Sequence, residues 1–362
     1  MLNSDKNAAH LDSTRLYKKA ARKKLLVLFA LSFLLLASFI YSIGIGTVEI
    51  NLKDQLISQW QILSSGEQSA NEYIFFHIRL PRVLMTVITG ISLACAGVLM
   101  QALLRNPLAS PFTLGVSSGA AFGAALSIVL STSILGVNIV SSERWVIAVN
   151  AFIFGCIAVF AVYGISRLKN GSTTVLLLSG VAIGQLFSAG VSSLQYFSSN
   201  AALKDLMVWL MGGFWGASWE VLNFLVPLVL VTFLILWRLS WDLNALSSGE
   251  EIAKSLGIDI KKLRVMTLLL STLIASASIA FTGIIGFIGL VAPHIGRMII
   301  GTDTRFLLPC ASTIGAILLL LSDTLARTII SPIEIPVGII TSVLGAPFFI
   351  YLLMRKQKDY WA

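Results

Sequence analysis

Ten apolar stretches of about twenty residues with few charges recur along this chain, at 25–45, 83–104, 114–135, 145–166, 174–196, 221–239, 263–283, 284–300, 307–329 and 337–354. Each is close to the length a helix needs to cross a hydrocarbon core about 30 Å thick. Lipid offers no water to satisfy backbone N–H and C=O groups, so such a stretch must pair them within itself, as a helix does. The apolar–polar alternation of a membrane barrel is absent. The expected fold class is therefore all-α, a polytopic membrane protein with about ten transmembrane helices. Composition agrees: 56% of residues are hydrophobic and 12% charged, and that charged share is about half the usual one for soluble domains. A soluble chain of this length would need far more polar surface to cover its core. The seventh and eighth stretches are separated only by the glycine-rich turn around Gly283 and Gly286.

An even number of spans returns the chain to the side on which it began. With the N-terminus inside, 20 of the 26 Lys and Arg residues fall in inner segments and 6 in outer ones. That is the asymmetry of the positive-inside rule, so both termini are expected in the cytoplasm. It also accounts for the net charge of +9 without a basic nucleic-acid-binding domain. Residues 1–24, with Arg15, Lys18, Lys19, Arg22, Lys23 and Lys24, read as a basic cytoplasmic tail. The apolar run that follows is too long for a signal peptide and lacks a small-x-small cleavage site, so it reads as an uncleaved first span. Residues 25–356 form the membrane domain, embedded in lipid, and 357–362 a short cytoplasmic tail.

Three segments lie outside the spans. An outer one runs from Thr47 to Arg82, and an inner one from Trp241 to Arg264. The inner segment holds a short helical pattern, Gly249-Glu250-Glu251-Ile252-Ala253-Lys254-Ser255-Leu256, stopped by Gly257, a residue type common just past a helix end. The third, Asn200–Glu220, carries Trp209, Trp215 and Trp219 and reads as interfacial, where indole rings prefer to sit. Cys95, Cys156 and Cys310 each lie inside an apolar stretch. Their odd number and the lack of a CxxC pair argue for small buried hydrophobes rather than a disulfide or zinc site.

No G-x-x-x-x-G-K-[ST] phosphate loop occurs, so ATP is not bound by this chain in the usual way. Gly115-Val116-Ser117-Ser118-Gly119 matches the nucleophile-elbow pattern, but it opens an apolar helix where a hydrolase needs a strand-to-helix turn. Gly115, Gly119 and Gly123 are spaced by four, as are Gly180 and Gly184, and such ladders let helices approach closely in lipid. Asp323 and Arg327, also four apart, are either a functional charge pair within a span or a local pair that makes both tolerable. His294 follows Pro293 and reads as a packing residue. Arg79 and Arg82 bracket Pro81 at the outer start of the second span. They are either anchors of a helix end or, against the positive-inside trend, cations for an acidic partner.

Long blocks resemble the permeases of type II ABC importers, which carry ferric siderophores, haem or cobalamin. These are Ile78-Arg79-Leu80-Pro81-Arg82, the run from Gly97 through Met100-Gln101 and Arg105-Asn106-Pro107-Leu108-Ala109-Ser110-Pro111, and Leu114-Gly115-Val116-Ser117-Ser118-Gly119-Ala120. The second half adds Gly286 through Val291-Ala292-Pro293-His294, Leu307-Leu308-Pro309, Ile335-Pro336-Val337-Gly338 and Gly345-Ala346-Pro347. The resemblance runs from about residue 25 to 356.

That resemblance implies a non-enzymatic channel-forming subunit with no cofactor of its own, in a bacterial inner membrane. The implied partners are a second permease subunit, identical or homologous, two cytoplasmic ATPases that use the ATP, and a periplasmic substrate-binding protein. Carried over residue by residue, the binding-protein contacts fall on Arg79, Arg82 and Arg327. The ATPase-coupling segment falls on Glu250 to Lys261, with Glu250, Glu251, Ala253, Leu256 and Gly257 in it. The cytoplasmic gate falls on Leu108 and Thr173. Ala109-Ser110-Pro111-Phe112 is closer to siderophore permeases than to haem or cobalamin ones. The readings from other classes are an ion-coupled secondary carrier, which would want midplane carboxylates where Asp323 stands nearly alone, and an intramembrane hydrolase.

Overall fold

The computed structural model describes residues 2–46, 70–130, 143–168 and 173–354, and among them all regular structure is helical. The order is α1 (Leu2–Gly44), α2 (Ala70–Leu104), α3 (Val116–Leu130), α4 (Glu143–Leu168), α5 (Thr173–Phe197) and α6 (Asn200–Met211). There follow α7 (Trp219–Ser247), α8 (Glu250–Ser255), α9 (Ile260–Thr282), α10 (Ile288–Ile300), α11 (Thr304–Thr328) and α12 (Val337–Met354). Seven of these are long and apolar enough to span a membrane, and α3, α10 and α12 are shorter apolar helices. Together they fall on the ten stretches read from the sequence. The antiparallel run leaves α6 at one end of the bundle and α8 at the other.

The second helix is the centre of the bundle. It packs on α7, α9, α10 and α11, with 78% of its apolar window buried against 17% for α1. Small residues permit that closeness. A Cβ on Gly90 would stand 2.6 Å from the Cα of Ala316 on α11, and one on Gly97 would collide with the backbone of Gly289 on α10. Without a hydrophobic effect in lipid, dispersion across such contacts is what holds helices together. The ladder on α3 works the same way. Gly119 and Gly123 press on the α4 backbone at Phe154 and Asn150, and Gly180 on α5 presses on Thr113. Gly184 meets only the Ser118 hydroxyl at 3.5 Å, an ordinary contact, so the α5 half of the device rests on Gly180. Ser117 of the nucleophile-elbow match is a buried residue in this packing.

Four boundaries depart from the sequence reading. The segment taken as a tail at 1–24 runs without a break into the first span as part of α1. The second span begins not at 83 but at Ala70, because Ile74–Arg79 form π-helical turns that carry the helix through Arg79-Leu80-Pro81. In that pattern Leu80 N–H donates to the Phe75 carbonyl, so the next donor in line is Pro81, which has none. The orphaned Phe76 carbonyl is taken instead by the Trp219 indole N–H at 2.8 Å. The seventh helix extends to Ser247, eight residues past the expected 239. The tenth starts at Ile288 rather than 284, after Gly283 and Phe287 both adopt positive φ, and its 13 residues reach only about 20 Å. Most of the outer segment from Thr47, and the tail at 357–362, lie outside the described residues.

Candidate functional site

At the α6 end, two arginines far apart in sequence, Arg82 and Arg327, converge on one buried carboxylate, while a third, Arg79, holds the end of α1. Asp323, on α11, is 0% exposed. Its Oδ1 accepts from Arg82 Nε and Nη2 at 3.1 and 3.0 Å, and its Oδ2 lies 3.0 Å from Arg327 Nε in an ion pair one helical turn along α11. Arg82 Nη1 donates to both carboxylate oxygens of Glu334, at 3.0 and 2.8 Å. Arg327 Nη2 donates to the Ser42 carbonyl and hydroxyl at 3.1 and 2.9 Å, and its Nη1 to the Ile45 carbonyl at 3.0 Å. Arg79 Nη1 reaches the Ile43 carbonyl at 3.3 Å. The end of α1 is thus tied to α2 and α11 by guanidinium groups on its last carbonyls, where cations suit the negative helix terminus.

These positions correct the picture of outward-facing cations. Arg79, Arg82 and Arg327 are 5%, 8% and 5% exposed. For Arg82 and Arg327 the cause is Asp323: a carboxylate fully withdrawn from water needs cationic donors around it, and the two arginine stems reach inward to supply them, whereas Arg79 turns to the Ile43 carbonyl. The local i, i+4 pair of Asp323 and Arg327 is present, and Arg82 joins it as a third member. Glu334 was missed. The signal available was a single acid in the loop Ser331-Pro332-Ile333-Glu334-Ile335-Pro336, in a chain with few acids. Trp215 and Trp219 are partly exposed at this end, while Trp209 packs against the core, and Trp215 Nε1 donates to Glu334 Oε2 at 3.0 Å.

At the opposite end α8 is a single capped turn and a half. Gly257, at φ +78, donates to Lys254 O at 2.9 Å, and Ile258 N–H to Ala253 O at 3.1 Å. That is the paired bond pattern of a glycine C-cap, as the sequence reading expected of Gly257. Ala253 is buried against the bundle, while Ile252 and Leu256 point outward, Leu256 at 65% exposure. Glu250 and Glu251 occupy the first turn, where acids suit the helix dipole, and Glu250 pairs with Arg264 Nη2 at 2.5 Å. The presented surface is thus apolar with an acidic edge.

Nearby is the turn after α2. Arg105 caps that helix in a left-handed conformation and donates to the Leu246 carbonyl at the end of α7. Asn106 Oδ1 accepts the Leu108 N–H at 2.9 Å, forming a tight turn that leaves Leu108 exposed. Thr173, the other gate residue expected, opens α5, but its side chain lies outside the described residues. Arg105 was legible only as one inner cation. Its link to α7 joins the Leu108 turn to the helix that leads into α8.

Two further polar groups tie the bundle. Arg297 donates to Gln101 Oε1, and Gln101 Nε2 to the Gly289 carbonyl at 3.3 Å, all three buried between α2 and α10. Asp303 caps α11 and accepts from Asn244 Nδ2 at 2.7 Å and Arg305 Nη2 at 2.6 Å, with Lys24 3.9 Å away. Burial raises the Asp303 pKa, but the hydrogen bonds from Arg305 and Asn244 and the Arg305 charge outweigh it and leave the carboxyl below its ordinary value.

Residues 34–355 match the model of the FecCD transport family. The chain is 40% identical over 329 residues to the hemin transport system permease protein of Yersinia pestis, across 91% of this chain and 96% of that one. It is 37% identical over 349 residues to the Fe(3+)-citrate import system permease protein of Bacillus subtilis, across 94% and 100%. Other relatives are named for cobalamin and molybdate import. A solved structure described as an inward-facing conformation of a metal-chelate type ABC transporter superposes with a TM-score of 0.77 at 35% identity, covering 90% of this chain and 98% of that one. An ion-coupled carrier and an intramembrane hydrolase are set aside by matches of this length. In sequence and in fold, over nearly its whole length, the chain belongs to the FecCD transport family and is a permease subunit of an ABC importer.

Proposed function

We propose that this permease moves a ferric siderophore or a related ferric chelate from periplasm to cytoplasm across a bacterial inner membrane. The observation that carries the substrate class is the full-length relative named for Fe(3+)-citrate import, supported by the Ala109-Ser110-Pro111-Phe112 block. A second reading, haem, is favoured by the hemin relative at 40% identity. In either case two permease subunits enclose the path, two ATPases sit at the α8 end, and a binding protein delivers the chelate at the α6 end. Both termini then lie in the cytoplasm.

The roles of the residues follow from what they present. Ile252 and Leu256 offer an apolar ridge that seats in a groove of the ATPase, with Ala253 fixing α8 to the bundle and Glu250, Glu251 and Gly257 setting its charge and stop. When the ATPases close, the displacement passes from α8 through the end of α7 to Arg105 and the Leu108 turn, which with Thr173 gates the path, a shear of packed helices. Arg79, Arg82 and Arg327 orient the acidic docking protein. The test is uptake of radioactive iron by a strain lacking the gene, offered one chelate at a time. Loss with a ferric siderophore or ferric citrate, restored by the wild-type gene, is expected. Loss confined to haem would select the second reading, and loss confined to cobalamin would overturn both.

A further inference from the structure

The docking role proposed for Arg82 meets a physical obstacle, since its guanidinium is already held by two carboxylates. We propose that Glu334 is the exchangeable one: it holds Arg82 while the permease is free and yields that edge of the guanidinium to an acidic side chain of the binding protein. This inference rests on the docking reading and names how it operates.

The two carboxylates differ in what they can do. Asp323 is 0% exposed, is fixed within α11 and also faces Arg327, so removing it would strand two buried cations. The Glu334 side chain is 27% exposed and lies on the loop between α11 and α12. The loop backbone is pinned, because Ile335 N–H donates to Ala326 O at 2.9 Å. Exchange therefore needs only a rotation of the Glu334 side chain. The edge it would free is Nη1, which makes both Glu334 contacts, while Nε and Nη2 stay on Asp323. Trp215 Nε1 also donates to Glu334 Oε2, so the departing carboxylate leaves an indole N–H and a guanidinium edge side by side at the surface. That pair of donors fits one incoming carboxylate.

The exchange explains how a buried arginine can serve a partner. Arg82 never loses its second carboxylate, so the penalty of an unpaired buried charge is not incurred. A partner without an acid at that point cannot displace Glu334, which makes the internal pair a filter as well as a brake.

The experiment measures affinity of the purified permease–ATPase complex in lipid nanodiscs for its periplasmic binding protein. Glu334→Gln retains an acceptor for Trp215 but removes the competing charge, and should tighten docking about three-fold, within the range of partly exposed ion pairs. Glu220, at the same end, bonds Trp145 rather than an arginine, so Glu220→Gln is the matched control and should change affinity little. In an Arg82→Gln background the Glu334→Gln effect should vanish. Equal tightening in both single variants would assign the effect to general surface charge and overturn the inference. So would unchanged or weaker docking of Glu334→Gln with its thermal midpoint intact. If Arg82→Gln docks as tightly as wild type, the docking reading itself fails and this inference with it. If Arg82→Gln docks weakly while Glu334→Gln is unchanged, only the exchange is wrong.

Discussion

Asp323 shows how one residue can decide what its neighbours do. A carboxylate with no exposure between two guanidiniums is neutralised in place, and Asp323→Asn would leave Arg82 and Arg327 short of a counterion. Breaking a buried pair in this way costs about 3–5 kcal/mol, with Glu334 left to compensate for Arg82 alone. Purified Asp323→Asn permease should unfold at a clearly lower temperature than wild type in the same detergent, followed by tryptophan fluorescence; an unchanged midpoint would mean that the network is dispensable for stability. The local half of this arrangement was legible, because Asp323 and Arg327 stand four apart on a helix. The other half was not: Arg82 and Asp323 are 241 residues apart, and no spacing rule links them. The same holds for Gln101 and Arg297, whose pairing appears only once α2 and α10 are seen side by side.

Among elements, the spans were legible because lipid forces a plain code of apolar length, and the glycine ladders were legible because close helix approach admits little else. The helices that run past their expected ends have a common cause. Residues 70–82 and 240–247 include charged or strongly polar groups, so hydropathy ends the span where the helix itself continues. The Ile74–Arg79 π-turns, which make a proline tolerable in mid-course, leave no periodic trace in the sequence. By contrast α8 was readable from its acids, its apolar pair and Gly257. Leu256→Asp tests its role: it places a charge on the exposed ridge without touching the buried Ala253. Uptake should fall at least ten-fold while the variant permease remains folded and inserted, with ATP hydrolysis either uncoupled from uptake or lost through failed assembly with the ATPase. Normal uptake with normal assembly would remove α8 from the coupling path.

For the molecule as a whole, the charge asymmetry between inner and outer segments predicts the orientation of every helix at once. Alkaline phosphatase, which folds to its active form only outside the cytoplasm, should be inactive when fused after α12 and active when fused after α11. The reverse pattern would invert the bundle and exchange the roles assigned to its two ends. That consequence is severe because one helix reaches both ends. The α-helical part of α2, Leu80–Leu104, is 25 residues and so about 37 Å long. Arg82 stands near its first residue, and Arg105 follows its last. Such a helix, gripped at its waist by Gly90 and Gly97, would act as a seesaw: a tilt of about 5° would carry each tip about 1.6 Å, in opposite directions. A docking protein pulling on one tip and an ATPase pushing on the other would then be leaning on the same beam.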